Sequence, residues 1–189
     1  MRFLRFPIAV VLLAGACAGT APPPPVAPSP PRAPVAVAEP VSRAPLELPV
    51  VGVHPHELRD SFHAPRGNGR VHGAIDIHAP RGTPVLAAAD GTVVRLHQGN
   101  LGGNSIYLLD DDGITRYYYA HLDGYASGLA EGDRVVRGAV IGYVGDTGNA
   151  APGDYHLHFS IAILDDPRRW WEGTNLNPYR VLKYGEPMR

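Results

Sequence analysis

Cysteine and lysine are nearly missing from this 189-residue chain. The one cysteine, Cys17, can close no internal disulfide and cannot build a multi-thiolate zinc or iron–sulfur site. Lys183 is the lone lysine, so chemistry that needs a lysine inside a folded domain has almost nothing to use. Neither sign of charge dominates. Seventeen basic and 18 acidic residues leave a net charge of −1, which gives no bulk attraction for nucleic acid or for an anionic membrane. No apolar run approaches the roughly 20 residues of a membrane-spanning helix. No stretch combines a 3.6-residue apolar period with helix caps. The serine-hydrolase pattern G-x-S-x-G and the zinc-protease pattern H-E-x-x-H are both absent. What the chain does have is glycine (22), proline (20) and nine histidines.

The prolines are clustered. Eleven lie between Pro22 and Pro49, a segment where missing amide donors and fixed φ let neither helix nor sheet propagate. Such a segment is extended and semi-rigid, at about 3 Å per residue. Ahead of it, Arg2 and Arg5 precede the apolar run Pro7–Ala16, the shape of a secretory signal peptide. Ala14-Gly15-Ala16 suits a small-x-small cleavage site. Leu13–Cys17 also resembles a bacterial lipobox, which would make Cys17 a lipidated N-terminus and anchor the protein to a membrane. The expected division is signal peptide 1–16, proline-rich disordered linker 17–49, a folded domain 50–165 and a tail 166–189 that packs on it. An exported protein of the periplasm or cell envelope follows from that reading.

Beyond residue 50, short β-prone runs alternate with Gly, Asp and Asn. Val85–Ala89, Thr92–Leu96, Ser105–Leu109, Thr115–Ala120, Arg134–Val136, Ala139–Val144 and His156–Ile163 read as strands, with turns at Asp90-Gly91 and Asp110–Gly113. Close spacing of strands and turns predicts an all-β fold, a compact antiparallel domain. The tail carries Trp170 and Trp171 and an Asn-Pro-Tyr sequence that reads as a turn. Packing over one end of the sheet is its expected role, and an aromatic wall of a substrate groove is the alternative.

Three histidine-bearing stretches carry chemistry. In His156-Leu157-His158, residues two apart on a strand share a face, so both imidazoles project together while Leu157 and Phe159 point into a core. In His72-Gly73-Ala74-Ile75-Asp76, a straight strand would hold the two side chains about 13 Å apart. They meet only if the chain kinks, and Gly73 permits that. Two His and one Asp make a mixed nitrogen and oxygen ligand set, and three protein ligands with a fourth position open is the pattern of catalytic zinc. His121 follows a β-prone run, and H-x-H holds one histidine more than such a set needs. The two left over can act as general base and oxyanion donor. His54, His56, His63, His78 and His97 read as structural or solvent-facing. His78, two residues after Asp76, faces the same side and is at most a supporting group.

These stretches together resemble the lysostaphin/LytM-type zinc endopeptidases, which cut peptide bonds in bacterial peptidoglycan. The resemblance runs over roughly Ser61–Ile163. It rests on GRVHGAIDIHAPRGTPVLAAADGTV (Gly69–Val93), YYAHLDGY (Tyr118–Tyr125), EGDRVVRGAVIGYVGDTGNA (Glu131–Ala150) and HLHFSI (His156–Ile161). It implies a compact antiparallel β domain with a groove across one sheet, zinc held by His72, Asp76 and His158, and catalytic roles for His121 and His156. The implied substrate is a peptidoglycan stem peptide, cut at a cross-link that the sequence does not specify. A D-Ala–diaminopimelate bridge and a polyglycine bridge are the two options, and a protein activator is a further open partner. The chain departs from the family at Gly73 (one place early), His63 (where glycine is usual) and Tyr155 (where proline is usual). None of these removes a functional group. The linker contains no Asn of the kind that blocks latent members, so self-inhibition is not expected. A non-hydrolytic relative that activates cell-wall amidases is the main competing reading, set against the presence of all five expected side chains. Glu131–Gly138 also resembles a lipoyl-type carrier turn, which fails for want of an acceptor lysine.

Overall fold

The computed structural model describes residues 45–188. The expected signal peptide, Cys17 and all but the end of the linker lie outside the described residues. Among the described residues, nine strands form one sheet in which every pairing is antiparallel. They are β1 (Ile75–His78), β2 (Pro84–Leu86), β3 (Gly91–Gly99), β4 (Gly103–Asp110), β5 (Thr115–Tyr125), β6 (Arg134–Val135), β7 (Val140–Val144), β8 (His156–Ile163) and β9 (Thr174–Leu176). The main path runs β1-β8-β5-β4-β3-β6, with β7 paired to β2 and β5, and β9 paired to β8.

Apolar alternation explains this arrangement. Ile106 and Leu108 of β4, Tyr117 and Tyr119 of β5, and Leu157, Phe159 and Ile161 of β8 are fully buried and share one core. Burying each such side chain contributes about 1.5–3 kcal/mol. The two buried phenols are satisfied: the Tyr117 hydroxyl donates to Asp110 at 2.8 Å, and the Tyr119 hydroxyl accepts from the Ala88 amide at 2.9 Å.

Residues 45–49, which composition places in the linker, belong to the packed structure. Leu46 and Leu48 rest on the core, the Glu47 amide donates to the Ala88 carbonyl, and Arg137 donates to the Pro45 carbonyl at 2.8 Å. Proline content hid this, because a few anchored side chains suffice where the backbone is already extended. The Asn-Pro-Tyr sequence is also more than a turn. Asn177 caps a short helix, α1 (Pro178–Tyr184), by accepting from the Tyr179 amide, Pro178 stands in the first turn, and Gly185 ends it in the left-handed region. At seven residues the helix is too short for a periodic signal, and its caps are what the sequence offered. Among the described residues no helix is long and apolar enough to cross a membrane.

Two loops meet backbone to backbone beside the sheet. Gly103 (φ 59°) and Gly148 (φ 81°) face one another across the Leu101–Gly103 and Thr147–Asn149 segments, and a Cβ on either would strike the other's main chain. Gly148→Ala is expected to lower stability by about 3 kcal/mol, from left-handed strain plus the clash. Urea unfolding of the two proteins checks this.

Candidate metal centre and cleft

His72 sits just before β1, and Gly73 takes φ 65° between His72 and Asp76. That kink folds the chain back, so His72 Nε2 lies 3.0 Å from Asp76 Oδ1 where an extended strand would hold them far apart. An added Cβ at Gly73 would come within 2.6 Å of Asn175 Nδ2, which itself donates to the Gly73 carbonyl. Cross-strand register brings in the third group: Asp76 of β1 stands opposite His158 of β8. His158 Nδ1 lies 3.2 Å from Asp76 Oδ1 and 3.0 Å from His72 Nε2. These three side chains could hold a metal ion. His156 shares the face of His158, and His121 on β5 brings its ring within 4.9 Å of His156 and 5.7 Å of His158. The five expected residues therefore come together. His54, His56, His63 and His97 do not join them.

Main-chain carbonyls fix the tautomers. His72 Nδ1 is 3.0 Å from the Ser61 carbonyl, His121 Nδ1 is 2.8 Å from the Thr147 carbonyl, and His156 Nδ1 is 2.8 Å from the Asp154 carbonyl. A carbonyl can only accept, so each Nδ1 carries its hydrogen and each Nε2 keeps a free lone pair. The hydrogen between His72 and His158 therefore belongs to His158 Nδ1, which faces two acceptors. A divalent cation among the three would replace it. Tetrahedral zinc, bound at about 2.0–2.2 Å, needs ligand atoms roughly 3.3 Å apart. The observed separations of 3.0–3.2 Å and the imidazole and carboxylate donors fit that ion.

His121 has the backbone that the site requires and that most residues resist. It is the only non-glycine residue with positive φ (60°) among those described, at a register break in the β4–β5 pairing. Such a conformation costs about 1–3 kcal/mol and is held by its surroundings. Here the His121 amide donates to the Gly102 carbonyl while the ring donates to Thr147.

Burial shapes the charges. Burial alone would raise the Asp76 pKa, but the hydrogen bond from His158 and the close approach of the His72 ring outweigh it and hold the carboxyl well below the usual carboxylate range. Arg66 donates to its second oxygen at 2.8 Å. Burial pushes the pKa of His121 and of His158 below the ordinary histidine value. The cleft in front of these groups has a volume of about 470 Å³ and includes Arg66, Tyr118, Asn149 and Asp154 in its walls.

Sequence reasoning missed several supporting groups. Ser61 and Thr147 act through carbonyls, which leave no mark on a sequence. His78, set aside as a supporting group at most, approaches Asp154 at 3.3 Å and places its ring 5.4 Å from His156. Trp170 packs edge-on against Tyr107 at 4.6 Å, and Trp171 lines a cavity that adjoins His72 and His158. Trp170 thus packs the tail against β4, while Trp171 is largely exposed.

The chain is similar to known proteins in sequence and in fold. The family description "Peptidase family M23" matches residues 70–178. Glycyl-glycine endopeptidase ALE-1 of Staphylococcus capitis is 43% identical over 137 residues, which span 62% of this chain and 36% of that protein. An L-Ala–D-Glu endopeptidase of Bacillus subtilis is 34% identical over 138 residues, spanning 69% of this chain and 41% of the relative. The match thus covers well under two thirds of the length of either. The catalytic domain of lysostaphin from Staphylococcus simulans superposes with a TM-score of 0.54 at 35% identity, covering 63% of this chain and 85% of that one. The antiparallel β fold expected from the strand pattern is the fold observed, and that catalytic domain shares it.

The buried histidines make the metal-free protein acid-sensitive. His121 and His158 resist protonation when folded but accept it when unfolded near the ordinary value of 6.5. Below that pH the unfolded chain binds more protons, so the stability they contribute is present above about 6.5 and lost as pH falls. Asp76, with its lowered pKa, acts in the same direction at more acidic pH. Calorimetry of chelator-treated protein is expected to show Tm falling as pH drops below about 6.5.

Proposed function

The chain belongs to peptidase family M23, and from that premise we propose that it is a zinc-dependent endopeptidase hydrolysing peptide cross-links of bacterial peptidoglycan. One observation carries the reading. Three ligand atoms, on His72, Asp76 and His158, lie within 3.2 Å of one another, and two further histidines face them with free Nε2 lone pairs. In this reading His72, Asp76 and His158 hold the zinc. Zinc in such a set supplies Lewis acidity toward water and toward a peptide carbonyl.

The remaining chemistry belongs to the chain. His121 Nε2 and His156 Nε2 face the cleft beside the ligand cluster, placed to take a proton from an attacking water and return it to the leaving amine. Once protonated, either can donate a hydrogen bond to the developing oxyanion. The Thr147 and Asp154 carbonyls keep both rings in the tautomer this needs. Burial, by lowering the pKa of His121, keeps that ring neutral and ready to accept at neutral pH. Asp76, held anionic, balances cationic charge at the centre.

The reading extends to place. Export through the leader, lipidation of Cys17 and a proline-rich spacer would hold the domain at a membrane with its cleft free to reach the cell wall. A protein activator is compatible with an exposed cleft, and the stem peptide is the substrate partner.

The test is digestion of purified sacculi by the zinc-loaded protein, with fragments identified by mass spectrometry. Zinc-dependent conversion of cross-linked dimers to monomers is expected, and intact dimers would refute the reading. His72→Ala, Asp76→Ala and His158→Ala are each expected to lose bound zinc, measured by metal analysis after dialysis, together with turnover. His121→Ala and His156→Ala are expected to keep zinc and lose roughly 100- to 10,000-fold in turnover. For anchoring, Cys17→Ser should move the protein from the membrane to the soluble fraction on cell fractionation.

A further inference from the structure

Arg116 is a buried cation with no anion to answer it. It lies on β5, two residues before Tyr118, and is only 7% exposed. Its guanidinium donates to the carbonyls of Trp170 (3.3 Å) and Glu172 (3.5 Å) and to Asn175 Oδ1 (3.4 Å), all long bonds. Its Nε is buried with no hydrogen-bond partner, alone in that respect among the described residues. No Asp or Glu figures among the groups that act on its charge, and burial pulls its pKa down from the usual arginine value. The Glu172 carboxylate is engaged by Arg169 instead. A charge taken out of water without a counterion is costly, and an arriving anion offsets that cost.

The space beside Arg116 is a cavity of about 310 Å³. Tyr107, Tyr118, Trp171 and Asn175 line it together with His72 and His158. His72, Tyr118 and His158 also line the main cleft, so the two spaces adjoin at the proposed zinc ligands. Asn175 ties the two together, since it accepts from Arg116 and donates to the Gly73 carbonyl at the kink.

Resting on the endopeptidase reading above, we propose that this cavity is an anion subsite in which Arg116 binds a free carboxylate of the substrate next to the scissile amide. The substrate class follows. In a D-Ala–diaminopimelate cross-link, the carbon bearing the scissile nitrogen also bears a free carboxylate. An internal glycine bridge offers none. Arg116 therefore selects the first over the second, and its guanidinium gains the charge-assisted partner that the protein itself does not provide.

Two synthetic cross-linked peptides with the same D-Ala–diaminopimelate bond, one with that carboxylate free and one with it amidated, separate the possibilities. The zinc-loaded full chain is expected to cleave the free acid with roughly 10- to 100-fold higher kcat/KM. Arg116→Gln should cleave the two alike, and Arg116→Lys should restore part of the preference. Equal kcat/KM for both peptides in the unaltered protein overturns the subsite while leaving the endopeptidase standing, and this arm needs no variant to fold. If neither peptide is cleaved, titration of each against the protein by tryptophan fluorescence decides the matter. Tighter binding of the free acid by tenfold or more then supports the subsite and counts against the endopeptidase. Equal or absent binding of both overturns the subsite.

Discussion

Everything in this protein's site depends on the register of β1 against β8. Asp76 stands opposite His158, and Ile75 and Ile77 stand opposite Phe159 and Leu157 in the core. Because side chains alternate, a slip of one residue would turn both imidazoles of β8 into the apolar core and its apolar side chains away from it. The cost of such a slip is several buried apolar side chains at about 1.5–3 kcal/mol each. The hydrophobic core thus sets the position of the polar face. β5 completes the arrangement by pairing Ala120 with His158, which places His121 beside the two histidines of β8.

On that frame, orientation comes from loops. Three histidines are locked by carbonyls of residues 61, 147 and 154, none of which lies in a strand. The loop holding Thr147 is in turn fixed by the close approach of Gly103 and Gly148. The sheet therefore supplies distance and the loops supply tautomer. The strained backbone of His121 is where the two requirements meet. Only a left-handed residue at that register break lets the ring reach Thr147 while its own amide reaches Gly102.

Much of this was legible because it is local. The i and i+2 geometry of His156 and His158 needs only the strand period, and the need for a kink between His72 and Asp76 follows from strand length and Gly73. The His156–Ile163 strand was readable to its ends. What stayed hidden depends on distant contacts or on main-chain atoms. Ser61 and Asp154 contribute carbonyls, and any residue type could supply those. Arg116 sat in a tyrosine-rich strand with nothing to mark it as buried until residues 170–175 closed over it. The helix at Pro178 was missed because its signal lies in two caps, and Asn-Pro fits a turn equally well. The packed segment at residues 45–49 was hidden inside a composition that speaks for disorder.

That packed segment has a mechanical consequence. Arg137 grips the Pro45 carbonyl and Glu47 pairs with Ala88, so the chain enters the fold beside β6 and β2. β6 ends the main strand path, and β1, with Asp76, ends it on the other side. A pull transmitted along the chain from upstream of Pro45 would load the β6 margin first. Along the chain β1 is the next strand, so the load reaches Asp76 only once the contacts of Pro45, Glu47 and Val50 have given way.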